Sequence, residues 1–99
     1  MIVVAGEALM DVYEAGTTPT GSMLDARIGG SPFNVAIGLA RLGTAAAFFG
    51  GISTGVLGDR LARALADEGV DLGPTVRLDA PTTLALVGLR PNGVPDYAF

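Results

Sequence analysis

Ninety-nine residues, 49% of them hydrophobic, with fifteen glycines and six prolines, suffice for one small globular unit with many enforced turns. The absence of cysteine, histidine and lysine excludes disulfides, zinc-thiolate sites, thiol nucleophiles, an imidazole base and a Walker-type phosphate loop, which needs a lysine. Six scattered arginines against ten carboxylates give a net charge of −4 and no basic patch, so no nucleic-acid partner is expected.

Residues 1–7 open on an apolar run ending in Gly6-Glu7, the pattern of a strand buried on both faces at the centre of a parallel or mixed sheet. That start carries no charged leader, and the apolar runs are short and broken by glycine. No signal peptide or membrane span is therefore expected, and the cytoplasm is the expected location. Residues 9–13 leave the first strand, residues 17–22 form a turn cluster, and residues 23–28 mix apolar with polar as an exposed-sheet strand does, together an antiparallel excursion.

A helix is predicted over residues 32–42, with Ser31 as its cap, Pro32 in its first turn and Gly43 closing it in the left-handed conformation. Val35, Leu39 and Leu42 share one face at i, i+4 and i+7 and are expected to be buried. Asn34 stands apart as an amide in the first turn beside paired glycines. Glycines let a ligand approach the backbone, the helix start offers unpaired N–H groups, and the amide adds a donor and an acceptor, a combination suited to hydroxyls.

Residues 45–50 are apolar and short enough for the next buried strand, completing a βαβ unit. A second helix is expected over residues 53–68, with Leu57, Leu61, Ala64 and Leu65 inward, Asp59 and Arg63 exposed, and Gly69 as its stop. Gly58 inside it costs about 1 kcal/mol relative to alanine. Short extended pieces flank Gly73-Pro74, and a β-rich run over residues 82–90 leads through Pro91-Asn92-Gly93 into a partner strand over residues 94–99. There is no repeat and no linker, so residues 1–99 read as part of a single domain. A chain that ends in mid-hairpin leaves an unpaired edge, as expected of a fragment.

The run Gly29-Gly30-Ser31-Pro32-Phe33-Asn34-Val35-Ala36, followed by Leu42-Gly43, resembles the N-terminal signature of the PfkB (ribokinase-like) carbohydrate kinases, and most of all their fructokinase branch. Supporting pieces follow the family order: Gly6-Glu7-Ala8-Leu9-Met10-Asp11, Phe49-Gly50-Gly51-Ile52-Ser53, Glu68-Gly69-Val70-Asp71 and Thr82-Thr83-Leu84-Ala85. The resemblance thus spans the whole chain. It implies a ribokinase-like α/β fold, with a central, mostly parallel sheet of βαβ units plus an antiparallel β lid near residues 11–28 and 82–99, the chain being an N-terminal portion. It also implies lid strands that can pair two subunits into a homodimer.

An acidic residue after a strand is ordinarily a solvated turn residue, and glycines before a helix are ordinarily a loop. The resemblance changes both readings. It implies that Asp11 grips sugar hydroxyls and that Gly30, Ser31 and Asn34 contact the substrate. Ribokinases often carry lysine where Ser31 stands, so a ribose-type contact is not expected from that position. The family also commonly has Asp where Gly55 stands, which leaves Ser53 or Thr54 to cap the second helix. Glu7 is read as structural, and Arg90, beside a turn, is left unassigned. No residue matches the family's Gly-Ala-Gly-Asp motif with its catalytic Asp, so no catalytic and no metal-binding residue is expected here. ATP and Mg2+ are expected for the intact family enzyme, bound mainly outside this segment. A dinucleotide site is not expected, because the first strand leads into Glu7-Ala8-Leu9 rather than Gly-x-Gly-x-x-Gly.

The function expected is the sugar-binding portion of an ATP-dependent kinase acting on a primary hydroxyl of a hexose such as fructose. The alternative is a non-catalytic α/β sugar-binding or assembly module.

Overall fold

The computed structural model describes residues 1–89 and 95–99. Strand β1 (Ile2–Ala5) is followed by a long hairpin, β2 (Leu9–Thr18) and β3 (Gly21–Gly29), then helix α1 (Ser31–Arg41) and strand β4 (Ala46–Phe49). After these come β5 (Gly51–Ser53), α2 (Val56–Asp67), β6 (Val76–Leu78), β7 (Leu84–Leu89) and β8 (Pro95–Ala98). β1 and β4 pair in parallel around α1, giving the βαβ unit with the hairpin inserted after its first strand. Asp71 adds a parallel bridge on β4, through Phe48 N–H to its carbonyl and its own N–H to Ala46, and β5 and β6 pair in parallel beyond it.

The second layer is a four-stranded sheet in the order β3-β2-β7-β8. Its two outer pairings are antiparallel, as the sequence suggests, but β2 and β7 run parallel, so the sheet is mixed rather than wholly antiparallel. The turn residues 91–93 lie outside the described residues, whereas the β7–β8 pairing that they were expected to connect is present. The β2–β3 turn is tighter than expected: Thr18 pairs with Gly21, and the strands absorb most of the turn-like cluster. A bulge between Glu14 and Gly16 bends β2, with Gly16 at φ 147. The radius of gyration, 15.0 Å, exceeds the roughly 13 Å of a compact chain of this size; the projecting sheet accounts for the difference.

The core lies between α1, α2 and the strands they cover, with Met10, Phe33, Phe48, Ile52, Leu61 and Leu65 almost wholly buried. In α2 the inward face is the expected one, Leu61 and Leu65 being buried and Leu57 and Ala64 packed beside them. Gly69 ends that helix at φ 83, as Gly43 ends α1 at φ 85. Arg41 at the end of α1 holds Glu68 at the end of α2 through two hydrogen bonds, of 2.9 and 2.5 Å, fastening the helices where each chain turns away. That guanidinium keeps the Glu68 carboxyl below the usual glutamate value.

Several expectations fail for identifiable reasons. Ser31 does not cap α1: Gly30 takes the N-cap position at φ 105, with no side-chain cap bond, and the helix starts one residue earlier. The buried stripe of α1 is Phe33 and Ala36, with Ile37 and Ala40 packed beside it, while Val35 is 49% and Leu42 83% exposed. Both stripes have helical spacing, and the one carrying the aromatic ring gains more by burial. β1 is not buried on both faces: Ile2 is 48% and Val3 56% exposed, because β4 is its one strand partner among the described residues and α1 covers one face through Val4. α2 starts at Val56 with Gly55 as N-cap, and Ser53 Oγ accepts the Gly55 N–H at 2.9 Å just before the helix rather than capping it. Asp59 and Arg63 are exposed as expected, and Asp59 pairs with Arg77 of β6. No helix among the described residues is long and apolar enough to cross a membrane.

Candidate functional site

The chain leaves β3 at Gly29, turns at Gly30 and enters α1 at once. Neither glycine can be replaced freely. A β-carbon on Gly30 would stand 2.7 Å from the Glu7 carbonyl, in a backbone conformation (φ 105) that side chains resist. On Gly29 it would run into the Asp11 carboxylate. These two close approaches draw the start of α1 onto the segment between β1 and β2, and so bring Asp11, from the middle of one strand, beside a helix N-terminus. The Glu7 side chain is exposed, and it is the backbone carbonyl of Glu7 that the packing uses.

A cavity of about 530 Å³ opens at this junction, within the size range of small-molecule sites. All four residues singled out from the sequence line it: Asp11, Gly30, Ser31 and Asn34. Asp11 is half-buried on the sheet, while Ser31 and Asn34 are exposed in the first turn of α1. Asn34 N–H makes the first helical hydrogen bond, to the Gly30 carbonyl at 2.9 Å, and the exposed Asn34 lines the cavity. Within one cavity the chain therefore presents a carboxylate acceptor, an amide that both donates and accepts, a hydroxyl and backbone N–H groups at a helix start. Such a set suits a ligand rich in hydroxyls.

Sequence reasoning missed the opposite wall. Ala85 and Val35 border the cavity, with Tyr97 and Phe99 from the β8 end of the chain. The register explains it: Ala85 pairs with Asp11, Val87 with Tyr13, and Tyr97 with Val87, so these side chains share one face of the mixed sheet. An alternating Tyr97-Ala98-Phe99 is the one local signal, and it says only that both rings share a face. Arg27 stands opposite Asp11 on β3, yet its guanidinium bonds Asp25 at 3.0 Å and lies 5.1 Å over the Tyr13 ring rather than neutralising Asp11. Arg90 lies outside the described residues. Among the described residues no three Asp or Glu side chains gather as a metal-holding group.

The profile of the pfkB family carbohydrate kinases matches residues 1–98. Fructokinase of Rhizobium leguminosarum bv. trifolii is 40% identical over 99 residues, which are 100% of this chain and 30% of that protein. The crystal structure of fructokinase from Xylella fastidiosa superposes with a TM-score of 0.86 at 34% identity, over 98% of this chain and 31% of that one. The same enzyme with bound ATP gives 0.85 at the same identity and coverage. The chain thus spans about a third of the length of these relatives, and its architecture is that of the ribokinase-like α/β kinases.

Proposed function

The chain belongs to the pfkB family of carbohydrate kinases, and from that premise we propose that it is the sugar-holding portion of an ATP-dependent kinase that phosphorylates a primary hydroxyl of a hexose, with fructose the favoured substrate. The observation that carries the proposal is the meeting of Asp11, Gly30, Ser31 and Asn34 around one cavity, drawn from a strand and a helix start that only the fold brings together. In this reading Asp11 accepts hydrogen bonds from two hydroxyls, Asn34 donates to one and accepts from another, and Gly30 and Ser31 meet the sugar at the start of the helix. Their work is to fix the orientation of the hydroxyl that is to be phosphorylated.

ATP supplies the γ-phosphoryl group and Mg2+ neutralises its charge in such transfers. The proposal places both mainly outside residues 1–99 of the intact enzyme. The proposal includes a homodimer formed through the lid strands, of which β3 and β8 stand at the edges of the mixed sheet among the described residues. The test is a coupled kinase assay of the intact protein against a panel of ketoses, aldoses and nucleosides: fructose as the preferred acceptor supports the proposal, and phosphorylation of nucleosides alone overturns it.

A further inference from the structure

A second cavity, of about 500 Å³, lies between α2 and the end of β3, again within the size range of small-molecule sites. Ile28 and Val56 are apolar members of its lining, and Arg60, Arg63 and Asp67 of α2 stand beside them. Three arginines among the described residues hold a carboxylate: Arg27 bonds Asp25, Arg41 bonds Glu68 and Arg77 bonds Asp59. Arg60 and Arg63 hold none among the described residues, and both face this cavity. Arg63 has an acid one turn before it, Asp59, and another one turn after it, Asp67, yet pairs with neither, and Asp59 is already taken by Arg77. The i, i+4 pairing usual on a solvated helix face is thus missing where the cavity lies. Three residues apart on one helix, Arg60 and Arg63 have Cβ atoms roughly 5–6 Å from each other.

We propose that this cavity binds a sugar phosphate, with Arg60 and Arg63 forking the phosphate group and Asp67 accepting a sugar hydroxyl. The choice of a sugar phosphate rests on the kinase reading above, whose product it is; the pair of guanidiniums rests on this cavity alone. Two planar forks one turn apart suit the several acceptor oxygens of a phosphate dianion. Asp67 repels a bare anion but accepts from hydroxyls, so the set favours a phosphate that carries a hydroxylated body over inorganic phosphate. Ile28 and Val56, 37% and 85% exposed, give the carbon skeleton an apolar surface. The site is separate from the sugar cavity. Ile28 pairs with Met10, whereas Asp11 pairs with Arg27 one position on, so the two cavities draw on opposite faces of the β2–β3 hairpin.

The experiment is calorimetric titration of the intact protein with fructose 6-phosphate and with inorganic phosphate, in an Asp11→Asn background that suppresses binding of the product in the sugar cavity. That protein should still bind fructose 6-phosphate, and more tightly than phosphate. Combined Arg60→Gln and Arg63→Gln should weaken fructose 6-phosphate by at least about tenfold. Asp67→Ala should weaken fructose 6-phosphate severalfold without weakening phosphate. All three side chains are exposed on the helix, and glutamine and alanine are good helix formers; should the double variant fail to fold, the two single variants take its place. An Asp11→Asn protein that binds no fructose 6-phosphate overturns the proposal, as does binding that ignores the arginine variants or is no tighter than that of phosphate. Binding in this cavity by an intact protein that phosphorylates no hexose upholds the site and strikes at the kinase reading instead.

Discussion

The Asp11 carboxylate fills the space that a β-carbon on Gly29 would occupy. Gly29 is thus fixed not by an unusual backbone angle but by the side chain across from it, and the turn into α1 and the acid of β2 are one packing unit. Gly29→Ala should push the carboxylate aside and lower kcat/KM for the sugar by about tenfold, much as loss of one good hydrogen bond does. The check is a double-mutant cycle. In an Asp11→Ala background the same change should cost far less, and full additivity would separate the two residues.

Gly58 sits inside α2, where helix propensity favours replacing glycine by alanine by about 1 kcal/mol. Here a β-carbon would collide with the backbone of Ser53. Gly58→Ala should therefore lower Tm despite the better propensity, as a thermal melt would read; a raised Tm would show that the Ser53 segment yields easily.

The Arg41–Glu68 pair ties stability to acid pH. Its hydrogen bonds depress the Glu68 carboxyl in the folded chain, so the pair's contribution is complete above the ordinary glutamate value, about 4.3, and is lost as pH falls through the lower folded one. Glu68→Gln should flatten that part of the acid limb in a Tm-against-pH series. High salt should shrink the difference, since the pair is open to solvent.

Residues 1–99 by themselves should not transfer phosphate. Positioning a hydroxyl without the groups that stabilise the transferred phosphoryl gives no turnover. ADP release with fructose and ATP measures it directly, and turnover by this segment at a rate comparable with the intact enzyme would refute the division of labour.

Much of this was legible in the sequence because its signals are local. Pro32, Gly43 and Gly69 punctuate the helices where the structure breaks them, and the resemblance pointed to Asp11, Gly30, Ser31 and Asn34, all of which line the cavity. What escaped depends on partners distant in the chain. Whether Val35 or Phe33 faces the core of α1 is decided by the strands beneath the helix, and spacing alone allowed both. Tyr97 and Phe99 reach Asp11 only through the parallel pairing of β2 with β7, a contact between residues more than seventy apart for which no neighbouring residue gives a sign. The exposure of β1 is of the same kind, since an apolar run announces a need for cover but not what provides it.

Asp11 bears the account's central claim, because a carboxylate hydrogen-bonded to sugar hydroxyls is worth about 1.5–3 kcal/mol, or roughly ten- to a hundredfold in kcat/KM. Steady-state kinetics of Asp11→Ala in the intact protein, with melting curves alongside, measure it. The loss should fall on the sugar and leave the KM for ATP nearly unchanged, with Asn34→Ala acting alike but less. An Asp11→Ala protein that melts like the unmodified one and keeps its kcat/KM for fructose would contradict the account.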